Sequence, residues 1–454
     1  MNKLGQLWNK LRSSLWFVPV LMVTCAVALA ASIIEIDTRL NREPFITWPR
    51  LFGAGAEGSR GMLSAIASSM ITVAGVTFSI TIVALSLASS QYTPRILRSF
   101  MRDRTNQIVL GFFVGIFAYC LVVLRTIRGK EEGSFIPQLA VAFGFVLALI
   151  GIGVLILFIH HIASSIQASN VISSAAAETI KAVGKLFPTE LGEEADEIEE
   201  DEYEYESSIK WEAIPALKTG YIQGVDTEEM LRFAEKHGVV LRMEHGIGEF
   251  VVKDSPLASL SIKSSPNDKL VGELNGIYSI SRNRTVEQDA MFGITQIVDI
   301  ALKALSTGIN DTTTALTCVD YLGAILAELA DRRIETRCRT SGGRLSVIAR
   351  GPSFAGLVSA SFDQIRLNAM GNVAMLTRIL GTIETIAGRT KNGHRRSILL
   401  QHVHLIVAAA DRSVNLSYDR DQVRESVERA LARLDENPQD HGLSLTRKDV
   451  EQWH

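Results

Sequence analysis

Four long runs of apolar residues dominate the first part of the chain, and none of them contains a charged side chain. They extend from about Leu15 to Ile34, Met62 to Leu87, Ile108 to Leu124 and Ile136 to Ile159. An α-helix needs about 20 residues to cross the hydrocarbon core of a bilayer, which is about 30 Å thick. The pattern therefore predicts a domain of four transmembrane helices at residues 1–162.

The first run also has features of a cleaved signal peptide. Lys3, Lys10 and Arg12 precede it, and the small residues from Ala28 to Ala30 resemble a cleavage site. Its length and the three runs that follow it favour a retained helix.

The orientation of the predicted helices depends on their basic flanks. Lys and Arg flank the predicted helices on both sides of the membrane, so the distribution of positive charge favours one orientation only weakly. The even number of helices and the basic cluster from Arg95 to Arg104 favour a cytoplasmic location for both termini.

Small and hydroxylated residues recur along one side of the second predicted helix, at spacings of three, four or seven. Such a stripe lets helices approach closely and hydrogen-bond to one another. In a ring of identical subunits it would instead line a polar conduit, whose basic mouth would concentrate anions. The predicted lining residues are Ser64, Ser68, Thr72, Gly75, Ser79, Ser86 and Ser90, and the predicted mouth consists of Arg95, Arg98 and Arg102.

The rest of the chain divides into three segments. At residues 163–207 we expect the fourth helix to continue without interruption to Leu186 as a stalk, followed by an acidic linker. Short β-like runs around one helix, Thr227 to His237, predict a β-rich module at residues 208–270, as a small barrel or sandwich. Helical periodicity predicts an α-rich module at residues 271–454. The expected fold class is an all-α membrane domain followed by a soluble α+β region.

A candidate effector site lies in the α-rich module. One helix is predicted to end with Gly308 in a left-handed cap, and the next to begin with Asn310 or Asp311 as its N-cap. The residues at this helix start have two interpretations. They have a purely structural role as a cap, or they bind a ligand that faces Arg284 or Asp289, because helix N-termini attract anions. The candidate residues are Arg284, Asp289, Asn310, Asp311, Thr312 and Thr313.

Charge and motifs argue against several function classes. A formal net charge of −3 argues against a general nucleic-acid binder, which needs an excess of Lys and Arg. The four cysteines lack Cys-x-x-Cys spacing, and His402 and His404 have no third ligand nearby. The chain contains no phosphate-binding loop, nucleophile elbow or His-Glu-x-x-His pair. We therefore expect no metal or cofactor, and no motif supports an enzyme.

Four segments resemble the bacterial predicted membrane proteins of the domain-of-unknown-function 2254 family. They are Phe78 to Asp103, Leu110 to Arg128, Thr219 to Asp226 and Arg284 to Ala315. Where the family pattern would have proline after Asn-Asp, this chain has Thr312, which changes the rigidity of that helix start. The resemblance implies a multi-pass protein of the bacterial cytoplasmic membrane and no established substrate or reaction.

Two functions remain open from the sequence. One is a homo-oligomeric ion channel or gated pore with a cytosolic regulatory or assembly domain. The other is a non-conducting, membrane-anchored sensor or scaffold whose cytosolic domain binds a small effector or a protein partner. The expected partners are the lipid bilayer, further copies of the chain, and ions or a small effector.

Overall fold

A computed structural model describes residues 16–39, 55–91, 103–128, 135–186, 210–262, 265–332, 334, 338–341 and 344–435. The chain divides into two compact units, Met1–Asn170 and Val171–His454. The first unit is helical, and the second is mostly helical with two small sheets.

Four apolar helices form the first unit: α1 (Phe17–Arg39), α2 (Ala56–Gln91), α3 (Arg104–Thr126) and α4 (Gln138–Ser165). All four are long and apolar enough to cross a membrane, as is a fifth helix, Thr312–Ala330, in the second unit. The four predicted apolar runs therefore form helices, whereas the fifth candidate was not among the predicted spans.

Helix α3 lies at the centre of the first unit and packs against α1, α2 and α4. Its residues Phe113, Tyr119 and Val123 are almost completely buried. The hydroxyl of Tyr119 donates a 2.8 Å hydrogen bond to the carbonyl oxygen of Ala140, which joins α3 to α4. A Cβ atom on Gly111 would lie 3.0 Å from the Cα atom of Pro19, so glycine permits the close approach of α1.

The helix that follows α4 is separate from it. Helix α4 ends at Ser165, the chain turns through Ile166, and α5 (Ala168–Leu186) begins. The prediction of an uninterrupted helix to Leu186 is therefore wrong. Helix α5 is also not a free stalk, since Ile172 and Val183 are fully buried and a Cβ on Gly293 would overlap Thr179. The acidic linker at residues 190–206 lies outside the described residues.

Two sheets form the β part of the second unit. The larger has the strand order β1 (Glu212–Pro215), β5 (Pro256–Leu260), β3 (Leu241–Met243), β8 (Arg344–Ile348) and β7 (Cys338–Ser341). Only the β3–β8 pair is parallel. The smaller sheet is antiparallel, in the order β4 (Phe250–Val251), β2 (Gly220–Val225) and β6 (Tyr278–Ser281).

The β region does not stop at residue 270, because β6, β7 and β8 come from later in the chain. The predicted helix within it is correct: α6 (Thr227–His237) begins after Asp226, whose side chain accepts the amide of Glu229. It ends at Gly238 in the left-handed conformation. Helix α7 (Asp268–Ile277) leads into β6.

Six longer helices complete the second unit: α8 (Ala290–Ala304), α9 (Thr312–Ala330), α10 (Phe354–Asn368), α11 (Val373–Ala387), α12 (Gly393–Ser413) and α13 (Ser417–Asp435). A short 3-10 turn, Val286–Gln288, precedes α8. The residue with positive φ between α8 and α9 is Asn310, at 51°, and not the predicted Gly308. The side chain of asparagine tolerates this conformation better than most others.

Candidate functional site

The predicted stripe on α2 faces away from the other helices of its own chain. Ser64, Ser68, Thr72, Ser79 and Ser86 are all exposed, as is Gly75. The side chain of Ser90 lies outside the described residues, as do Arg95, Arg98 and Arg102 of the predicted mouth.

The side of α2 that packs against its own chain is formed by other residues. Leu63, Ala67, Met70, Ala74 and Ala84 are buried there. At 100° per residue these positions fall on the opposite side of the helix from the stripe. The stripe therefore does not serve helix packing within one chain.

The hydroxyl groups of the stripe have hydrogen-bond partners within their own helix. Thr72 donates to the carbonyl oxygen of Ser68 at 2.8 Å, and Ser79 donates to that of Gly75 at 2.9 Å. Such bonds reduce the cost of placing a hydroxyl group in an apolar environment. The stripe can thus face water, lipid or another helix.

Helix α2 is longer than a bilayer requires. Its 36 residues span about 54 Å, whereas the 23 residues of α3 span about 35 Å. The guanidinium of Arg60 donates to the carbonyl oxygen of Ile127 at 2.6 Å, which sets the start of α2 level with the end of α3. The surplus length of α2 therefore extends beyond the start of α3.

A polar cluster joins the start of α3 to the end of α4. Nε2 of His161 lies 2.5 Å from Oδ2 of Asp103, and the hydroxyl of Ser165 lies 3.4 Å from the same nitrogen. Asp103 also accepts the amide of Thr105 at 2.9 Å and so caps α3. This pairing was not predictable from the sequence, because 58 positions separate Asp103 from His161.

Asn106 lies one turn after Asp103 and is 5% exposed. Both polar atoms of its amide are buried without a hydrogen-bond partner in the part of the chain that the structure describes. A buried polar group without a partner in an apolar bundle is costly, which makes this end of α3 a candidate functional position.

In the second unit, Arg284 and Asp289 bind each other. The guanidinium of Arg284 donates to both carboxylate oxygens of Asp289, at 2.8 and 3.0 Å. Asp289 is 4% exposed and accepts the amide of Phe292 at the start of α8, and the guanidinium of Arg284 lies 5.2 Å from the Phe292 ring. This pair orders the start of α8.

The other predicted effector residues form the start of α9. Asp311 is the N-cap and accepts from the amide and the hydroxyl of Thr314, and these hydrogen bonds hold the pKa of Asp311 below its usual range. The amide of Asn372 donates to the hydroxyl of Thr312 at 3.3 Å, and Thr313 is exposed. Thus Asp311, one of the two predicted caps, is confirmed.

The two halves of the predicted effector site lie apart. Asp289 caps the beginning of α8, whereas the amide of Asp311 donates to Ala304 at its end. The 15 residues of α8 separate these points by about 22 Å. The prediction that Asn310 to Thr313 face Asp289 or Arg284 is therefore wrong.

His402 is buried between α12 and α10. Its Nε2 atom lies 3.5 Å from the hydroxyl of Ser359, and its Nδ1 atom lies 3.8 Å from Oδ1 of Asp363. Burial lowers the pKa of His402. Among the described residues, no group of three or more His, Cys, Asp or Glu side chains is placed to hold a metal ion.

Comparisons with known proteins agree with the apolar helices. A family model described as "Predicted membrane protein (DUF2254)" matches residues 12–385. The chain is 30% identical over 439 residues to "Uncharacterized protein MT1328" of Mycobacterium tuberculosis, which covers 95% of this chain and 82% of that protein. The values are the same for "Uncharacterized protein Mb1321c" of Mycobacterium bovis. No solved structure matches the chain.

Proposed function

The chain belongs to the DUF2254 family of predicted membrane proteins, and we propose that it forms a homo-oligomeric pore in the bacterial cytoplasmic membrane. The observation that carries this proposal is the exposure of every described member of the α2 stripe in a single chain. Copies arranged around an axis would turn these stripes towards one another.

In this proposal α1 to α4 cross the bilayer and α9 does not. Helix α9 has the lowest mean hydropathy of the five candidates, 1.3 against 2.1 to 2.9 for the others. Its residues Leu322, Ile325, Leu326 and Leu329 are fully buried within the second unit. A core helix needs no lipid. Four spans would put both termini on the same side of the membrane, and we propose that this is the cytoplasmic side.

The length of α2 supports a conduit that continues beyond the bilayer. Ser64 to Ser79 lie within the part of α2 that runs beside α3, whereas Ser86 lies in the surplus length. A polar stripe that reaches past the hydrocarbon gives ions a route into bulk water. The basic residues Arg95, Arg98 and Arg102 follow in the sequence and favour anions.

The alternative is a non-conducting membrane anchor for the second unit, acting as a sensor or scaffold. Hydroxyl groups bonded within α2 favour it, because they can pack dry against a neighbouring copy. Self-association is common to both functions, whereas only the pore requires water along the stripe.

Planar-bilayer recording of the purified chain, combined with cysteine substitution, distinguishes the two functions. The background carries Cys25→Ser, because Cys25 is an exposed thiol. We expect a charged, water-soluble thiol reagent to reduce the conductance of Ser79→Cys. The matched control is Ile156→Cys on α4, which is 63% exposed on an apolar surface and should not respond.

Disulfide cross-linking of Ser68→Cys tests the assembly separately. Cross-linked dimers in membranes, together with a bilayer that conducts, support the pore. Cross-linked dimers with a silent bilayer and an unreactive Ser79→Cys thiol would overturn the pore in favour of the anchor. The absence of cross-links with Ser68→Cys, Thr72→Cys and Ser79→Cys would reject association through this stripe.

A further inference from the structure

Two polar side chains inside the first unit lack the hydrogen bonds that their burial calls for. Both polar atoms of the Asn106 amide and the hydroxyl of Thr77 are buried and bond to none of the residues that the structure describes. Asn106 is 5% exposed and Thr77 is 1% exposed. By contrast, the hydroxyls of Thr72 and Thr81 on the same helix donate to carbonyl oxygens one turn earlier. Buried polar groups are normally satisfied, and an ion or a water is the usual missing partner.

The packing of the helices brings Thr77 to the level of Asn106. Helices α2 and α3 run in opposite directions, since the start of α2 meets the end of α3. A Cβ atom built on Gly151 of α4 would lie 3.4 Å from Sδ of Met70 and 3.7 Å from Cδ1 of Ile116, so these three residues share one level. Thr77 follows Met70 by two turns of α2. It therefore lies within about one turn of Asn106, measured along the bundle.

The pair formed by Asp103 and His161 lies at the same level. Helix α4 also runs opposite to α3, because its start bonds to the later turns of α3 and its last turn bonds to the first residues of α3. His161 follows Gly151 on α4 by as many residues as Asn106 precedes Ile116 on α3. His161 therefore lies level with Asn106, as its contact with Asp103 one turn earlier requires.

The side chain of Asn106 leads towards Asp103. In an α-helix the Cα–Cβ bonds tilt towards the N-terminus, and residues three apart lie on the same side. Asp103 and His161 are partly buried, at 21% and 33% exposure, whereas Asn106 lies deeper. The polar groups thus form a short path from the partly exposed end of the bundle to its buried interior, and a small ligand can enter past Asp103.

The chemistry of these groups favours a hard cation. Asp103 offers carboxylate oxygens, Asn106 an amide oxygen and Thr77 a hydroxyl oxygen, and hard cations prefer such oxygen ligands. The negative charge of Asp103 disfavours an anion, and the C-terminal end of α4 at this level adds negative potential. A single carboxylate matches one positive charge better than two, so a monovalent ion fits this set of ligands better than calcium does.

We propose that the first unit binds an alkali-metal cation, sodium or potassium, between the start of α3, the middle of α2 and the end of α4. Asp103 supplies the charge, and Asn106 and Thr77 supply the buried oxygen ligands. His161 is a positioning residue, because its contact with Asp103 orients the carboxylate, as outer residues do in other metal sites. The whole site lies within one chain, so it does not depend on the proposed pore.

Thermal unfolding of the full chain in detergent tests the site in sodium, potassium and choline chloride at equal concentration. Sodium or potassium should raise the unfolding midpoint saturably above that in choline, which is too large to enter, because a ligand of the folded state stabilises it. Asn106→Leu keeps the size of the side chain but removes both unpartnered atoms. This variant should lose the response to the alkali cations, while its midpoint in choline should equal or exceed that of the unmodified chain.

Equilibrium binding of radioactive sodium, with unlabelled potassium as competitor, measures the affinity directly. Thr77→Val keeps the shape of the side chain and should weaken binding about ten-fold, as the loss of a group that supports a metal site does. The matched control is Thr24→Val on α1, because Thr24 is exposed and its hydroxyl donates to the carbonyl oxygen of Val20 at 2.9 Å. Its affinity should be unchanged. Equal unfolding midpoints in all three salts would overturn the proposal, as would a cation response that Asn106→Leu retains in full.

Discussion

The carboxylate of Asp103 lies 2.5 Å from the imidazole of His161, which joins the first residues of α3 to the last turn of α4. Both side chains are partly buried, at 21% and 33% exposure. Asn and Asp are equally good N-caps, so Asp103→Asn keeps the cap of α3 while removing the charge. We expect this substitution to lower the free energy of unfolding in detergent by about 1 to 2 kcal/mol.

The control for this prediction is His160→Ala, because His160 is exposed beside the pair. Thermal unfolding of His160→Ala should match that of the unmodified chain, whereas His161→Ala should resemble Asp103→Asn. A double variant no less stable than either single variant would identify the two residues as partners. Fully additive losses would contradict the pairing.

Gly323 on α9 permits the close approach of α11. A Cβ atom at this position would overlap Cγ2 of Thr382, but would lie 3.5 Å from its Cβ atom. We therefore expect Gly323→Ala to destabilise the chain by about 1 to 3 kcal/mol, measured by thermal unfolding. Adding Thr382→Ser removes the overlapping methyl group and should restore much of the loss.

Gly381→Ala is the control for helix propensity. No atom lies within 4 Å of a Cβ built on Gly381, so alanine should be neutral or stabilising there. If Gly323→Ala were as stable as Gly381→Ala, the close contact between α9 and α11 would be refuted.

Arg284 compensates a carboxylate that is almost completely buried. Arg284→Met should leave Asp289 charged without a cation and lower the free energy of unfolding by about 3 kcal/mol. Chemical denaturation of the full chain measures this change. Arg282→Met is the comparison, because Arg282 is exposed two positions earlier and its loss should change little. Equal effects of the two substitutions would speak against a structural role for the Arg284–Asp289 pair.

His402 should make the second unit sensitive to mild acid. Burial lowers its pKa below the usual value of 6.5, so below about pH 6.5 the unfolded chain binds a proton that the folded chain excludes. The free energy of unfolding should therefore fall as the pH decreases from about 6.5, by at most about 1.4 kcal/mol per pH unit. The loss should end once the pH drops below the folded-state pKa.

Thermal unfolding from pH 7.5 to 5 would check this dependence. His402→Gln should reduce the slope, and His404→Gln should not, because His404 is exposed two positions later on the same helix. An identical slope in all three proteins would assign the acid sensitivity to other groups.

The elements predicted most accurately from the sequence were those with a local cause. The predicted helix from Thr227 to His237 has the same bounds as α6, and Asp311, one of the two predicted caps, marks the start of α9. Each of these signals lies within a few residues of the feature that it specifies. The apolar helices of the first unit were predictable for the same reason.

Features that depend on distant contacts were not predictable. The break at Ile166 contains no proline or glycine, so the local sequence favoured one continuous helix. Asp289 and Asp311 are both N-caps, as local chemistry requires. The distance between them depends on the course of the chain from the start of α8 to the start of α9, which is not a local property. The pairing of Asp103 with His161 likewise requires the packed helices.

The parallel pairing of β3 with β8 has a consequence during synthesis. β5 can pair with one edge of β3 early, but the other edge pairs with residues 347 and 348, which are translated after three further helices, α7, α8 and α9. Until those residues leave the ribosome, the nascent chain carries an open strand edge, which is prone to aggregation. The emerging polypeptide is therefore most exposed to aggregation before Leu241 and Arg242 pair with Val347 and Ile348.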